Sequence, residues 1–204
     1  MPTTASISMY TGHRFYPLEP AKNHYDVRDI AHGLSLLCRF AGQGERFYSV
    51  AEHSLLVSRL LTSSPQEATD RSRVTWHFIH ALHPSLRLVG LLHDASEAYM
   101  ADVPAPIKAL PQLDGYRQVE QQVMEAILTF LMRSPRAENW DGPSVHYADK
   151  LALRAEASML GLLTPRWEVY PLPDVGPLPT PLSPQQAERR FLECYQDCVR
   201  SLGP

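Results

Sequence analysis

An all-α fold is what this sequence predicts, on three observations. Apolar residues recur at i, i+3, i+4 and i+7 along much of the chain, the period of one buried helix face. Two capping boxes, Ser49-Val50-Ala51-Glu52 and Ser183-Pro184-Gln185-Gln186, each stand at the start of a helical stretch. No run of any length alternates apolar with polar residues, as a half-buried strand does.

The elements follow in order. The first ~25 residues hold Pro17, Pro20 and several aromatics, and read as an extended arm or short hairpin. A first helix begins near Asp26 as cap, with Val27, Ile30, Ala31, Leu34, Leu37 and Cys38 on one face. It is expected to stop near Gly42, where Gly42 and Gly44 suit a C-terminal turn. The Ser49 box opens a second helix, with Val50, Val57, Leu60 and Leu61 as its stripe and Ser63-Ser64-Pro65 as its end. Residues 66–84 start polar and then hold Trp76, Phe78, Ile79 and Leu82 among His77, His80 and His83, which suits a short helix. A stronger helix runs from Ser85 to Met100, burying Leu88, Leu91, Leu92 and Ala95. Pro104, Pro106 and Pro111 impose a non-helical stretch. A long helix from Asp114 to Met132 turns Tyr116, Val119, Val123, Ile127 and Phe130 inward, and Pro143-Ser144 opens another that reaches Gly161. Seven prolines between 165 and 184 make that segment an extended surface strap, and Pro184 starts a terminal helix. The expected organisation is one domain over 1–204, with a helical core at 25–164, the strap at 165–184 and the C-terminal helix at 183–203.

Composition narrows the function classes. Hydrophobic residues at 44% and charged residues at 20% of 204 are ordinary globular values, so wholesale disorder is excluded. A net charge of −3 supplies no general field for a nucleic-acid polymer, and none is expected as a partner. Three cysteines cannot make a disulfide framework, so a reduced, cytoplasmic chain is expected. Without ~18 consecutive apolar residues no membrane span is expected, and residues 1–10 lack the marks of a signal peptide. Nine histidines stand out, because imidazole is the commonest metal ligand and a frequent acid or base.

His93-Asp94 ends the apolar run Leu88-Val89-Gly90-Leu91-Leu92. Glu97 follows His93 by four residues and Asp94 by three, so the three ionisable groups share one side of a helix. Acids placed there need a partner, and a divalent cation neutralises them while ordering the imidazole. His53 lies on the apolar stripe of its helix, three residues after Val50 and four before Val57, and Asp149 lies beside Ala148 on another inward face. His53, His93, Asp94 and Asp149 together form a mixed nitrogen and oxygen set suited to Zn, Co, Mn or Fe with positions left for water and substrate. Taken singly, an inward histidine is more often a hydrogen-bonded core residue, and an inward aspartate more often a cap or a partner to Arg154 or Arg87. Spacing alone leaves both readings open.

The order His53 … His93-Asp94 … Asp149 resembles the H…HD…D signature of the HD-domain phosphohydrolases. His93-Asp94-Ala95-Ser96-Glu97 followed by Asp102-Val103-Pro104-Ala105-Pro106-Ile107-Lys108 is similar to the block of their YfbR-like 5′-deoxynucleotidase branch. Ile30-Ala31-His32-Gly33-Leu34-Ser35, Cys38-Arg39-Phe40-Ala41-Gly42 and Phe47-Tyr48-Ser49-Val50-Ala51-Glu52-His53-Ser54 resemble its YfdR-like and phage-encoded subgroup, to which some phage dATP triphosphohydrolases look related. The resemblance runs from Tyr10 to the C-terminus and implies an all-α HD-domain helical bundle. It implies a divalent metal (Co, Mn, Zn, Fe or Mg) on His53, His93, Asp94 and Asp149, with Asp94 counted among the catalytic residues and Glu97 as the acid/base carboxylate. Arg39 would contact phosphate, Phe40 stands where the branch often has Trp beside the sugar, Asp102 would lie near the ribose 3′ side, and Lys108 would add phosphate-binding charge. The interval from His53 to His93 is longer than in that subgroup, the excess being residues 62–84, as an insertion at the pocket mouth or an oligomer contact.

The implied activity is a 5′-deoxynucleotidase releasing phosphate from deoxynucleoside monophosphates, with a nucleotide substrate and a homo-oligomeric enzyme. The alternatives are a dATP-type triphosphohydrolase, a non-catalytic nucleotide- or metal-binding HD module, and a structural helical domain; cyclic-nucleotide or diester hydrolysis shares the HD core but lacks support in the residues around Asp102. His77, His80 and His83 read as a polar helix face, Gly42-Gln43-Gly44 lacks the third glycine of a dinucleotide loop, and Cys194 with Cys198 read as core or interface thiols.

Overall fold

Both capping boxes close. Ser49 Oγ accepts the Glu52 amide at 3.2 Å while Glu52 Oε2 accepts the Ser49 amide at 3.0 Å. At the second box Ser183 Oγ accepts the Gln186 amide at 3.3 Å and Gln186 Oε1 accepts the Ser183 amide at 2.8 Å. The helices they start belong to an all-α fold, seen in a computed structural model that describes residues 5–61, 85–132, 142–163, 178 and 180–202. Among these residues the helices are α1 (Val27–Leu36), α2 (Val50–Leu60), α3 (Ser85–Leu92), α4 (Glu97–Met100), α5 (Ala105–Lys108), α6 (Asp114–Met132), α7 (Pro143–Met159) and α8 (Pro184–Ser201). The N-terminal arm forms a two-stranded antiparallel hairpin, β1 (Ile7–Ser8) against β2 (Arg14–Phe15). The expected end of the second helix at Ser63–Pro65, the short helix in 66–84 with its three histidines, and most of the proline strap lie outside the described residues.

α2 divides the core. Its Val50 and Ala51 join α1, α3, α6 and α8 in one apolar cluster that includes Ile30, Leu34, Leu91, Ile127 and Phe191. Its Leu56, Val57 and Leu60 join Val89 of α3 and Val145, Ala148 and Ala152 of α7 in a second. The polar side chains of the site emerge from α2, α3 and α7 where these clusters meet. The end of the strap is held to the start of α2, since the Leu182 amide donates to Glu52 Oε1 at 2.7 Å. Among the described residues no helix is long and apolar enough to cross a membrane.

Four expectations need correction. α1 ends at Leu36 rather than near Gly42, because Leu37 turns extended and the backbone pairs instead with the approach to α2: Arg39 N–H donates to Tyr48 O at 2.9 Å and Val50 N–H to Leu37 O at 3.0 Å. The helix expected from Ser85 to Met100 breaks at residues 93–96 into α3 and α4. The His93 ring explains it: Nδ1 lies 2.8 Å from Gly90 O, the carbonyl a continuing helix would offer to the Asp94 amide. The proline stretch is not free of helix, since Ala105–Lys108 makes one turn of α5 with Pro106 in its first turn, where a missing N–H costs no bond. On α6 the buried stripe is Val123, Met124, Ile127 and Leu128, while Phe130 is 43% exposed at its rim, edge-on to His24 and Tyr25.

Candidate metal centre and pocket

Each metal-competent side chain sits at a defined place. His53 lies one turn into α2, fixed by the Ser49 box, and is fully buried. His93 and Asp94 follow the last residue of α3, where the helix breaks. Asp149 lies on α7, one residue past buried Ala148. Their ligand atoms converge. His53 Nε2 lies 3.3 Å from His93 Nε2, 3.1 Å from Asp149 Oδ1 and 3.5 Å from Asp94 Oδ2, and His93 Nε2 lies 3.3 Å from that same Asp94 oxygen. One ligand atom from each of His53, His93 and Asp149 fits within a 4.8 Å span, the requirement for sharing an ion.

The two rings face inward for the same reason. His93 Nδ1 is engaged by Gly90 O at 2.8 Å and His53 Nδ1 by Glu156 Oε1 at 2.9 Å, which leaves both Nε2 atoms pointing at the carboxylates. Two imidazole nitrogens at 3.3 Å with two carboxylates beside them are a poor set of neighbours by themselves and a good one for a divalent cation. The donor set therefore fits a metal, with His53, His93, Asp94 and Asp149 as the residues that would hold it. Electrostatics agree. Burial alone would raise the Asp149 carboxyl, but the hydrogen bond and charge of His53, with His93 and Arg39, hold it below the usual carboxylate range.

Arg39 and Glu97 flank this centre. The Arg39 Nη2 donates to Glu156 Oε2 at 3.3 Å, and Nη1 lies 3.9 Å from Asp94 Oδ2. Its Nε and the Glu97 Oε2 are buried, and among the described residues neither finds a hydrogen-bond partner. Burial opposes the Arg39 charge, but Glu156, Asp94, Asp149 and Asp102 outweigh it and keep the guanidinium charged. Glu97 goes the other way: burial, then Asp94 and Asp102, push its carboxyl well above the ordinary value against the pull of Lys108 and Arg39.

The other expected site residues fall nearby with different roles. Lys108 does not stand free, because its Nζ is paired with Glu120 at 2.8 Å and with Glu97 Oε1 at 3.4 Å. Asp102 is partly buried, and its carboxyl is raised by burial against the counter-pull of Arg39. Phe40 lies under the Arg39 guanidinium, 5.4 Å from carbon to ring centre. Strained backbone adjoins two of these residues: Phe40 (φ 56°) and Ala41 (φ 51°) follow Arg39, and Ala101 (φ 74°) precedes Asp102. The residue that the sequence did not reveal is Glu156, fully buried on α7 and in contact with both His53 and Arg39. Its one signal was register, seven residues beyond Asp149 on the same helix face.

Comparison with known proteins bears on the same residues. Residues 39–147 match the family described as HD domain, an interval that begins at Arg39 and contains His53, His93 and Asp94. The chain is 33% identical over 200 residues to the uncharacterized protein YfdR of Escherichia coli (strain K12), covering 94% of each chain. It is 36% identical over 121 residues to the uncharacterized protein RCAP_rcc00048 of Rhodobacter capsulatus, covering 58% of this chain and 54% of that one.

Proposed function

The chain belongs to the HD-domain family, generally metal-dependent hydrolases, and from that premise we propose that it is a metal-dependent phosphohydrolase of deoxynucleotides, releasing phosphate from deoxynucleoside 5′-monophosphates. One observation carries the reading. A convergent His53–His93–Asp94–Asp149 set is flanked by a buried cation, Arg39, and a buried acid, Glu97, each keeping a polar atom without a partner among the described residues. A phosphomonoester offers the matching groups: anionic oxygens for the ion and for Arg39, and a leaving oxygen that needs a proton.

His53, His93, Asp94 and Asp149 would hold the ion, which when bound would supply Lewis acidity toward phosphate and a more acidic water. Arg39 binds the phosphoryl oxygens, and its position is set from behind by Glu156 and Asp94. Glu97, whose burial favours the protonated form, gives a proton to the departing nucleoside oxygen. Lys108 contributes by orienting Glu97 rather than by contacting phosphate, since its ammonium is already paired with Glu97 and Glu120. Phe40 and Asp102 line the side that receives the sugar.

The test is a panel of deoxynucleoside mono- and triphosphates with Co, Mn, Zn and Mg, read separately as inorganic phosphate and as tripolyphosphate. Orthophosphate from monophosphates in a metal-dependent reaction is the expected result. Tripolyphosphate from triphosphates would move the assignment to the triphosphohydrolase chemistry, and no turnover with any pair would remove the enzyme reading.

A further inference from the structure

Resting on the metal and phosphate reading above, we infer that Glu156 is a positioning residue that fixes the metal-ligating tautomer of His53 and the phosphate-binding pose of Arg39 through one carboxylate. Its two oxygens are divided between them: Oε1 lies 2.9 Å from His53 Nδ1 and Oε2 accepts from Arg39 Nη2 at 3.3 Å. Neither contact is incidental, because a fully buried carboxylate is expensive unless both oxygens are satisfied by charged or strongly donating groups.

The consequences follow from donor and acceptor arithmetic. An ionised carboxylate only accepts, so the His53 nitrogen facing it must be N–H, and Nε2 is left with its lone pair toward His93, Asp94 and Asp149. The same constraint turns Arg39 so that its fork is gripped at Nη2 while Nε stays uncommitted. Residues 39, 53 and 156 come from separate parts of the chain; Asp94 also lies near both partners, 3.5 Å from His53 Nε2 and 3.9 Å from Arg39 Nη1, but the Glu156 contacts are the shorter ones. The expected metal site and phosphate site are thus joined by a side chain outside the proposed ligand set.

Glu156→Gln separates this role from a purely structural one. The amide has one acceptor and one donor end, so it cannot accept from both His53 Nδ1–H and Arg39, at nearly unchanged volume: it either loses Arg39 or favours the wrong His53 tautomer. Zn²⁺ and inorganic phosphate are the probes, titrated calorimetrically into purified protein, phosphate on the zinc-loaded form. The expected result is weaker Zn²⁺ binding by ~10–100-fold, the range for loss of such a supporting contact, or a comparable loss for phosphate, according to which partner the amide abandons. In zinc-loaded protein the imidazole ¹⁵N–¹H spectrum should show His53 as the Nδ1–H form, with its proton moving upfield when the carboxylate is replaced. Glu156→Asp, which keeps the charge but is one methylene short of spanning both partners, gives the same weakening and serves if the glutamine variant does not fold. Wild-type affinities for both probes in a folded variant, even with a lowered melting temperature, would overturn the inference. Uptake of no divalent ion by wild-type protein would overturn it together with the proposed function. Metal and phosphate binding without turnover of any nucleotide would overturn the proposed function and leave the role of Glu156 standing.

Discussion

Glu97 is a carboxyl that the fold keeps out of water, and that placement makes a prediction separable from folding. Burial and the neighbouring Asp94 and Asp102 favour its protonated form, which suits proton donation and is of no use for holding a cation. Glu97→Gln should therefore bind a divalent ion as wild type does and lose ~10²–10⁴ in kcat, the usual weight of an acid–base group. Equal loss of metal in calorimetry would move Glu97 into the ligand set. Away from the site, Cys194 lines a cleft of about 440 Å³ between α2, α3 and α8. The neighbouring Cys198 thiol, then Ser58 and Arg87, outweigh burial and bring the Cys194 thiol down to about 6. A lowered thiol pKa keeps the thiolate present as pH falls through neutrality. Alkylation by iodoacetamide should hence have its pH midpoint below the ordinary thiol value of ~8.5, and Arg87→Gln should move that midpoint upward; a midpoint at the ordinary value would contradict the lowered thiol.

At the scale of elements, the readable features were local and the unreadable ones were set by tertiary competition. The capping boxes at Ser49 and Ser183 need only four consecutive residues, and both formed as read. The end of α1 and the break after α3 depend on partners distant in sequence or on a ring taking a backbone carbonyl, as Tyr48 and His93 do. No periodicity encodes such choices. Strain is likewise invisible in sequence, since Ala101 looks like any helix former until its φ of 74° and ψ of 153° are seen. A non-glycine residue in that region costs ~1–3 kcal/mol, against ~0.5–1 kcal/mol that glycine adds in chain entropy. Ala101→Gly is therefore expected to match or exceed the wild type in urea stability. Its kcat/KM should fall, because the link that delivers Asp102 to the pocket loses its single conformation. Lower stability with unchanged turnover would show that Ala101 is neither strained nor directing.

For the whole molecule, the metal-competent set was legible because tandem His93-Asp94 announces itself and because His53 and Asp149 interrupt apolar faces. Glu156 was not, because a glutamate on a helix is usually solvated and only the packing of α7 against α2 shows otherwise. That packing has a thermodynamic consequence. His53, His93-Asp94 and Asp149 come from α2, the end of α3 and α7, so an ion held by all of them ties three separate elements and binds only the folded chain. Linkage then requires stabilisation of ~2.7 kcal/mol when the free ion stands at one hundred times its Kd. For a chain of this size a kilocalorie moves Tm by roughly 2–4 °C, so saturating metal should raise Tm by about 5–10 °C over EDTA-treated protein. His53→Ala and Asp94→Ala should each lose most of that increment together with activity if each supplies a ligand to the ion. A scan in which the two variants keep the full metal-dependent rise in Tm would place the ion somewhere other than between α2, α3 and α7.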